Sequence, residues 1–171
     1  MVTATLPWGR SMIAQSTDRP VYASDNDAIV KQALDILRAR VAKGPLMNAP
    51  KVVSEYCILR AGARPDQARE VFSVLWLDSQ NRLILAEDMF TGTLTQTSVY
   101  PREIVRRALA VDAAAVILTH NHPSGTTEPS QADIKLTEHL KTALAIVDVK
   151  VLDHIVTAGG DALSMAERGL I

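Results

Sequence analysis

The chain is poor in cysteine, in long apolar runs and in any excess of one charge. Its single cysteine, Cys57, excludes a disulfide framework and any zinc site built on several thiolates. Its neighbours Val53, Tyr56 and Ile58 mark it as an ordinary buried thiol. The apolar runs fall far short of a membrane span. The opening stretch MVTATLPWGRSMIAQSTDRP lacks the basic start, apolar run and cleavage site of a leader. A reduced, cytoplasmic globular protein without membrane contact is the expectation. The formal net charge is −1, so nothing global argues for nucleic acid or an anionic membrane as partner, although a local basic patch stays open. Internal repeats and low-complexity tracts are also missing. What is present is 171 residues, about one domain and enough to bury a core without staples.

Residues 1–23 show no clean period and read as an extended arm. SDNDAIVKQALDILRARVAKGP reads as a helix, with N-cap oxygens on Ser24 to Asn26, an apolar stripe and a Gly44-Pro45 stop. Residues 1–47 thus form an N-terminal arm and helix. A short helix starts near Asn48, with Pro50 in its first turn and Val52, Val53, Tyr56 and Leu59 on its inner side. VFSVLWLDSQNRLILAEDMF gives two β-rich runs around a turn-like DSQN, a hairpin signal. TQTSVY is a candidate third strand. PREIVRRALAVDA is helical, with Ile104, Val105, Ala108 and Leu109 at helical spacing, and AAAVILT is a central buried strand. SQADIKLTEHLKTALAIV is a helix with Ile134, Leu136, Leu140, Ala143 and Leu144 inward; VKVLDHIVTAGG is another strand, and ALSMAERGLI closes the chain. The alternation argues for an α/β domain of two or three layers with a mixed sheet.

The chemistry concentrates in THNHPSGTTEPSQAD, residues 119–133. His120 and His122 stand two apart at a strand end, so their rings point to one side. Pro123 and Gly125 turn the chain, and Asp133 enters the first turn of the next helix. Two imidazoles and a carboxylate leave a coordination position open, as catalytic zinc sites do; ferrous or manganese ions suit the same set. Ser130 and Asp133 alone also form an S-x-x-D capping pair that needs no metal. The letters HNH name a nuclease motif as well, but that motif is spread over a longer unit.

The string His120-x-His122-x₇-Ser130-x₂-Asp133 resembles the JAMM motif of JAB/MPN metalloproteases. The longer PREIVRRALAVDAAAVILTHNHPSGTTEPSQAD, with LDHIV and AERGLI, resembles the bacterial RadC family over residues 48–171. The resemblance implies an MPN (JAB, cytidine-deaminase-like) fold: a mixed β-sheet flanked by helices. It implies Zn²⁺ on His120, His122 and Asp133, with Ser130 stabilising an oxyanion and an upstream glutamate as general acid/base. The matching position is Glu70; Glu87 is its competitor. Long RadC chains carry an N-terminal helix-hairpin-helix region. Here about 50 residues precede the matched part, which resembles the short type of prophage and mobile elements.

Asp153 and His154 form a further polar pair: one of them orients a ligand histidine, contacts substrate, or merely satisfies a strand end. Arg102, Arg106, Arg107, Lys135 and Lys141 read as solvated faces, with phosphate contact as the weaker alternative. Two functions stand side by side. One is a zinc-dependent hydrolase of peptide or isopeptide bonds acting on an unidentified protein or peptide. The other is a DNA-associated or protein-binding module of DNA repair or mobile-element biology, with zinc that is not catalytic. A zinc deaminase is excluded, because it needs H-x-E and P-C-x-x-C.

Overall fold

The computed structural model describes Gln32 and residues 44–64, 68–92 and 98–171. The expected arm over 1–23 and helix over 24–43 lie outside the described residues apart from Gln32, as does half of the candidate strand TQTSVY, whose described residues 98–100 carry no strand. The elements run α1 (Pro50–Gly62), β1 (Val71–Leu77), β2 (Leu83–Thr91), α2 (Pro101–Ala110), β3 (Ala115–Asn121), α3 (Gln131–Ala145), β4 (Lys150–Ala158) and β5 (Asp161–Ser164). They build one five-stranded sheet in the order β2-β1-β3-β4-β5. The β3–β4 pair is parallel and the others are antiparallel, so the sheet is mixed.

The hairpin forms where the turn cluster was read. Asn81 takes a left-handed conformation at φ 59°, a region that asparagine tolerates. The carboxylate of Asp78 accepts from the backbone N–H groups of Gln80 and Arg82. Both β1 and β3 are buried along their whole length, which explains why they read as continuous apolar runs rather than alternating ones.

Strand alternation sorts the core into two halves. Phe72, Val74 and Trp76 of β1 and Val116 and Leu118 of β3 pack with Ile104 and Ala108 of α2 and Leu140 and Leu144 of α3. Leu75, Leu77, Ala115, Ile117 and Ile155 pack with Val53 and Cys57 of α1. The result is three layers, with α1 on one face and α2 and α3 on the other. Cys57 is indeed buried, and that burial pushes its thiol up to about 11.

One expectation fails on α1. Its buried stripe is Val53, Cys57 and Ala61, spaced by four; Val53 and the partly buried Tyr56 pack inward as expected, but Val52 and Leu59 do not. Val52 is 44% and Leu59 74% exposed. The small side chains of the actual stripe let the helix lie close to the sheet. In α2, Leu109 likewise faces outward, and in α3 the buried set gains Thr137.

Truncating Leu140, fully buried between α3 and the sheet, should destabilise the fold by about 2–5 kcal/mol. Leu59→Ala should stay within about 0.5 kcal/mol of wild type, as surface changes do. Urea unfolding of both variants checks the inward face of α1: a large loss at Leu59 would contradict it.

Candidate metal centre

β3 runs two residues further than the apolar run suggested and ends at Asn121, so His120 lies in the strand and His122 just past it. Alternation puts the two histidines on the α2/α3 side and Asn121 on the α1 side. The His122 N–H still bonds the Thr157 carbonyl at 2.8 Å, which continues the β3–β4 ladder and holds the second histidine in strand-like register. Gly125, at φ 85°, then lets the loop turn back in a conformation that L side chains avoid.

The loop ends at the N-cap of α3. The Ser130 hydroxyl donates to Asp133 Oδ2 at 2.6 Å and accepts from the Asp133 N–H, while the Ser130 N–H donates to Oδ2 at 2.7 Å. This is a capping box, and it leaves Asp133 Oδ1 directed at His120. His120 Nε2 lies 2.9 Å from His122 Nε2 and 3.5 Å from Asp133 Oδ1. Asp133 Oδ2 lies 3.8 Å from His122 Nε2. One ligand atom from each of the three residues falls within 4.8 Å of the others.

The donor set fits a cation. His122 Nδ1 meets the Thr126 carbonyl at 2.8 Å. A carbonyl only accepts, so Nδ1 carries the hydrogen and Nε2 of the neutral ring keeps its lone pair toward His120. Two ring nitrogens at 2.9 Å repel unless a proton or a cation lies with them. This cluster could hold a metal ion.

Electrostatics follow from burial and proximity. Burial pushes His120 down to about 4, although the Asp133 charge opposes the shift. The Asp133 carboxylate holds His122 above its ordinary value, aided by the Thr126 carbonyl and Glu70. Partial burial would raise Asp133, but His122 and Ser130 outweigh it and hold the carboxyl well below its usual range.

The two glutamates part company. Phe72 pairs with His120 across the antiparallel β1–β3 ladder. Continuing that register by two residues sets Glu70 opposite His122, on the same face. Glu87 also lies on that face of the sheet but further along, paired with Val74. There it takes two bonds from Arg107, at 2.6 and 2.7 Å, and one from Trp76 Nε1 at 2.9 Å. Arg107, followed by burial and Trp76, nets its carboxyl below the ordinary value. Its oxygens serve to dock α2.

Asn121 was missed in the sequence. Its Oδ1 accepts from the Val71 N–H and its Nδ2 donates to the Arg69 carbonyl, both at 2.9 Å. It therefore clamps the backbone on either side of Glu70. Arg64 steadies the clamp, reaching Asn121 Oδ1 at 3.3 Å and Ser73 Oγ at 2.6 Å. The signal was available: a residue between two same-side histidines must face the opposite layer.

Asp153 and His154 also face opposite layers. Asp153 accepts from its neighbour's backbone N–H, from Ser164 Oγ and from the Ala166 N–H, which secures β5 and the turn beyond it. His154 is wholly buried; its Nε2 lies 2.8 Å from His120 Nδ1 and its Nδ1 lies 2.6 Å from Thr137 Oγ1. Phe72 stacks near-parallel to His120 and presents an edge contact to His154. Of the basic residues, Arg102 and Arg106 share Glu103, and Arg107 contacts Glu87, so three cations on α2 meet two carboxylates.

Comparison with known proteins agrees with this architecture. A profile of the family described as "RadC-like JAB domain" matches residues 47–170. Proteins named only "UPF0758 protein" are similar to most of the chain. That of Methylibium petroleiphilum is 51% identical over 152 residues, 89% of this chain and 67% of its own length. That of Leptothrix cholodnii is 52% identical over the same shares, and that of Paracidovorax citrulli is 55% identical over 84% of this chain and 60% of its own. The chain belongs to the RadC-like JAB domain family, and its mixed sheet flanked by three helices is the α/β arrangement expected of a JAB/MPN domain. It spans roughly three-fifths to two-thirds of the length of these relatives. Among the described residues, no helix is long and apolar enough to cross a membrane.

Protons compete with a cation for His122. Because its folded-state pKa is raised, the affinity for a divalent cation should already fall as pH drops through that raised value, starting above the ordinary pKa of about 6.5. His120, at about 4, adds a further loss in stronger acid. Titration against a chromophoric chelator between about pH 8 and pH 5.5 checks the first step; an affinity flat across that window would refute it.

Proposed function

We propose that the domain is a zinc-dependent hydrolase of peptide or isopeptide bonds. The observation that carries this reading is the convergence of His120, His122 and Asp133; Glu70, just before β1, supports it, since the β1–β3 register extended by two residues faces it to His122. Two imidazoles and one carboxylate with an open position suit catalytic zinc. Zinc held there supplies Lewis acidity and makes hydroxide available near neutral pH.

The chain's own residues perform the proton and charge steps. Glu70 accepts a proton from the attacking water and delivers it to the departing amine, which needs a carboxylate within hydrogen-bond reach. Asn121 holds the backbone on both sides of Glu70, fixing that reach. Ser130 is the candidate donor to the developing oxyanion, a contribution of a few kcal/mol in comparable sites. Its hydroxyl now points to Asp133 Oδ2, so donation to substrate requires the hydrogen to swing about the Cβ–Oγ bond. A cavity of about 310 Å³ lies beside His122, lined also by Ala61, Asn121 and Thr157, and so opens on the α1 side rather than over the cation cluster.

The reading as a nucleic-acid module gains no support from the overall charge, which is −1.

His120→Ala and Asp133→Ala should each abolish stoichiometric zinc by metal analysis, whereas Glu87→Gln should retain it. Wild type and the two ligand variants holding equally little zinc, under conditions free of chelator, would defeat the assignment. Glu70→Gln should keep zinc and lower turnover of a cleavable peptide or isopeptide about 10²–10⁴-fold, leaving a trap from which bound protein can be identified. Asn121→Ala should move the same way by a smaller factor, with zinc retained.

A further inference from the structure

We infer that Thr137 and His154 form a proton-ordering relay that fixes the tautomer of His120 and so leaves its Nε2 free for metal. The inference rests on the reading of His120 as a ligand and adds positioning residues that the motif does not contain.

The order follows from counting hydrogens. Thr137 has one hydroxyl proton and two close neighbours: the Asp133 carbonyl at 2.6 Å and His154 Nδ1 at 2.6 Å. A carbonyl oxygen cannot donate, so the Thr137–Asp133 contact is satisfied only if Thr137 donates to it. The hydrogen between Thr137 and His154 must then belong to His154 Nδ1. His154 is fully buried, and its ring meets Thr137, His120 and Phe72, none of them a counter-charge. An imidazolium there would be an unpaired buried charge. The neutral ring therefore keeps its lone pair on Nε2 and accepts from His120 Nδ1 across 2.8 Å. His120, itself buried, is left with an unprotonated Nε2 facing His122 and Asp133.

The reverse order would fail at the Thr137 end and would compete with a metal at the other. If Thr137 donated to His154, two oxygens would face each other at 2.6 Å with no hydrogen between them. His154 Nε2–H would donate to His120 Nδ1, and the His120 proton would sit on Nε2, where the metal belongs. The backbone carbonyl of Asp133 thus sets the proton of His120, while its side chain faces the same ring. One residue of α3 acts on the site by two routes.

Long-range ¹H–¹⁵N correlation of the metal-free protein at neutral pH reads the tautomers directly. Both His120 and His154 should be protonated at Nδ1. Thr137→Val removes the acceptor and should turn His154, and with it His120, to the Nε2–H form. It should also weaken zinc binding roughly 10–100-fold, as loss of such supporting bonds does. Thr137→Ser keeps the hydroxyl and should restore tautomer and affinity together, which separates proton order from packing. Wild-type His120 protonated at Nε2, or Thr137→Val binding zinc as tightly as wild type, would overturn the inference. A wild-type chain that binds no zinc would instead overturn the hydrolase reading, and the metal-free spectra would still decide the proton order.

Discussion

The antiparallel ladder between β1 and β3 is the constraint on which the rest of the site depends. With Phe72 facing His120, every side chain of the two central strands is assigned to a layer. A slip of one residue would exchange the layers, sending the histidines toward α1 and Asn121 toward α3. The buried runs on both strands make such a slip expensive, because each face packs against its own helices. The core and the candidate metal centre are therefore specified by one and the same register.

Much of this was legible in the sequence, and the reasons differ by element. The hairpin, the central strand and the helices α2 and α3 carry local signals: turn chemistry, a short apolar run, proline at a first turn, an S-x-x-D start. The grouping of His120, His122 and Asp133 was legible because strand parity and a helix cap are both local properties. The inward face of α1 was not. A helix resting close against a sheet selects small residues at the contact, and Val53, Cys57 and Ala61 carry less apolar weight than the exposed Leu59. Glu70 was preferred to Glu87 on motif position; that Glu87 is held by Arg107 and Trp76 depends on contacts across the sheet that no local pattern contains. Thr137 was invisible for the same reason: on α3 it reads as an ordinary polar residue until β4 brings His154 beneath it.

The tripeptide His120-Asn121-His122 divides its work by parity. Its outer members face the cation cluster, and its middle member reaches through to the opposite layer, where it holds residues 69–71. Beyond it, Arg64 bonds Asn121, Ser73 and Asp88, so the end of α1 is joined to the strand that leads into Glu70. The segment carrying Glu70 is thus held from the α1 side, and the cation cluster is completed from the α3 side. Asp153 and His154 repeat the pattern on β4, one securing β5 and the other backing His120.

Asp133 carries two duties with different oxygens. Its Oδ2 closes the capping box with Ser130, while Oδ1 looks toward His120. The start of α3 is consequently secured whether or not an ion is present. A chain that lost one of the histidines would keep this cap and the helix start it nucleates. Cation binding and helix initiation are thereby uncoupled at a single carboxylate.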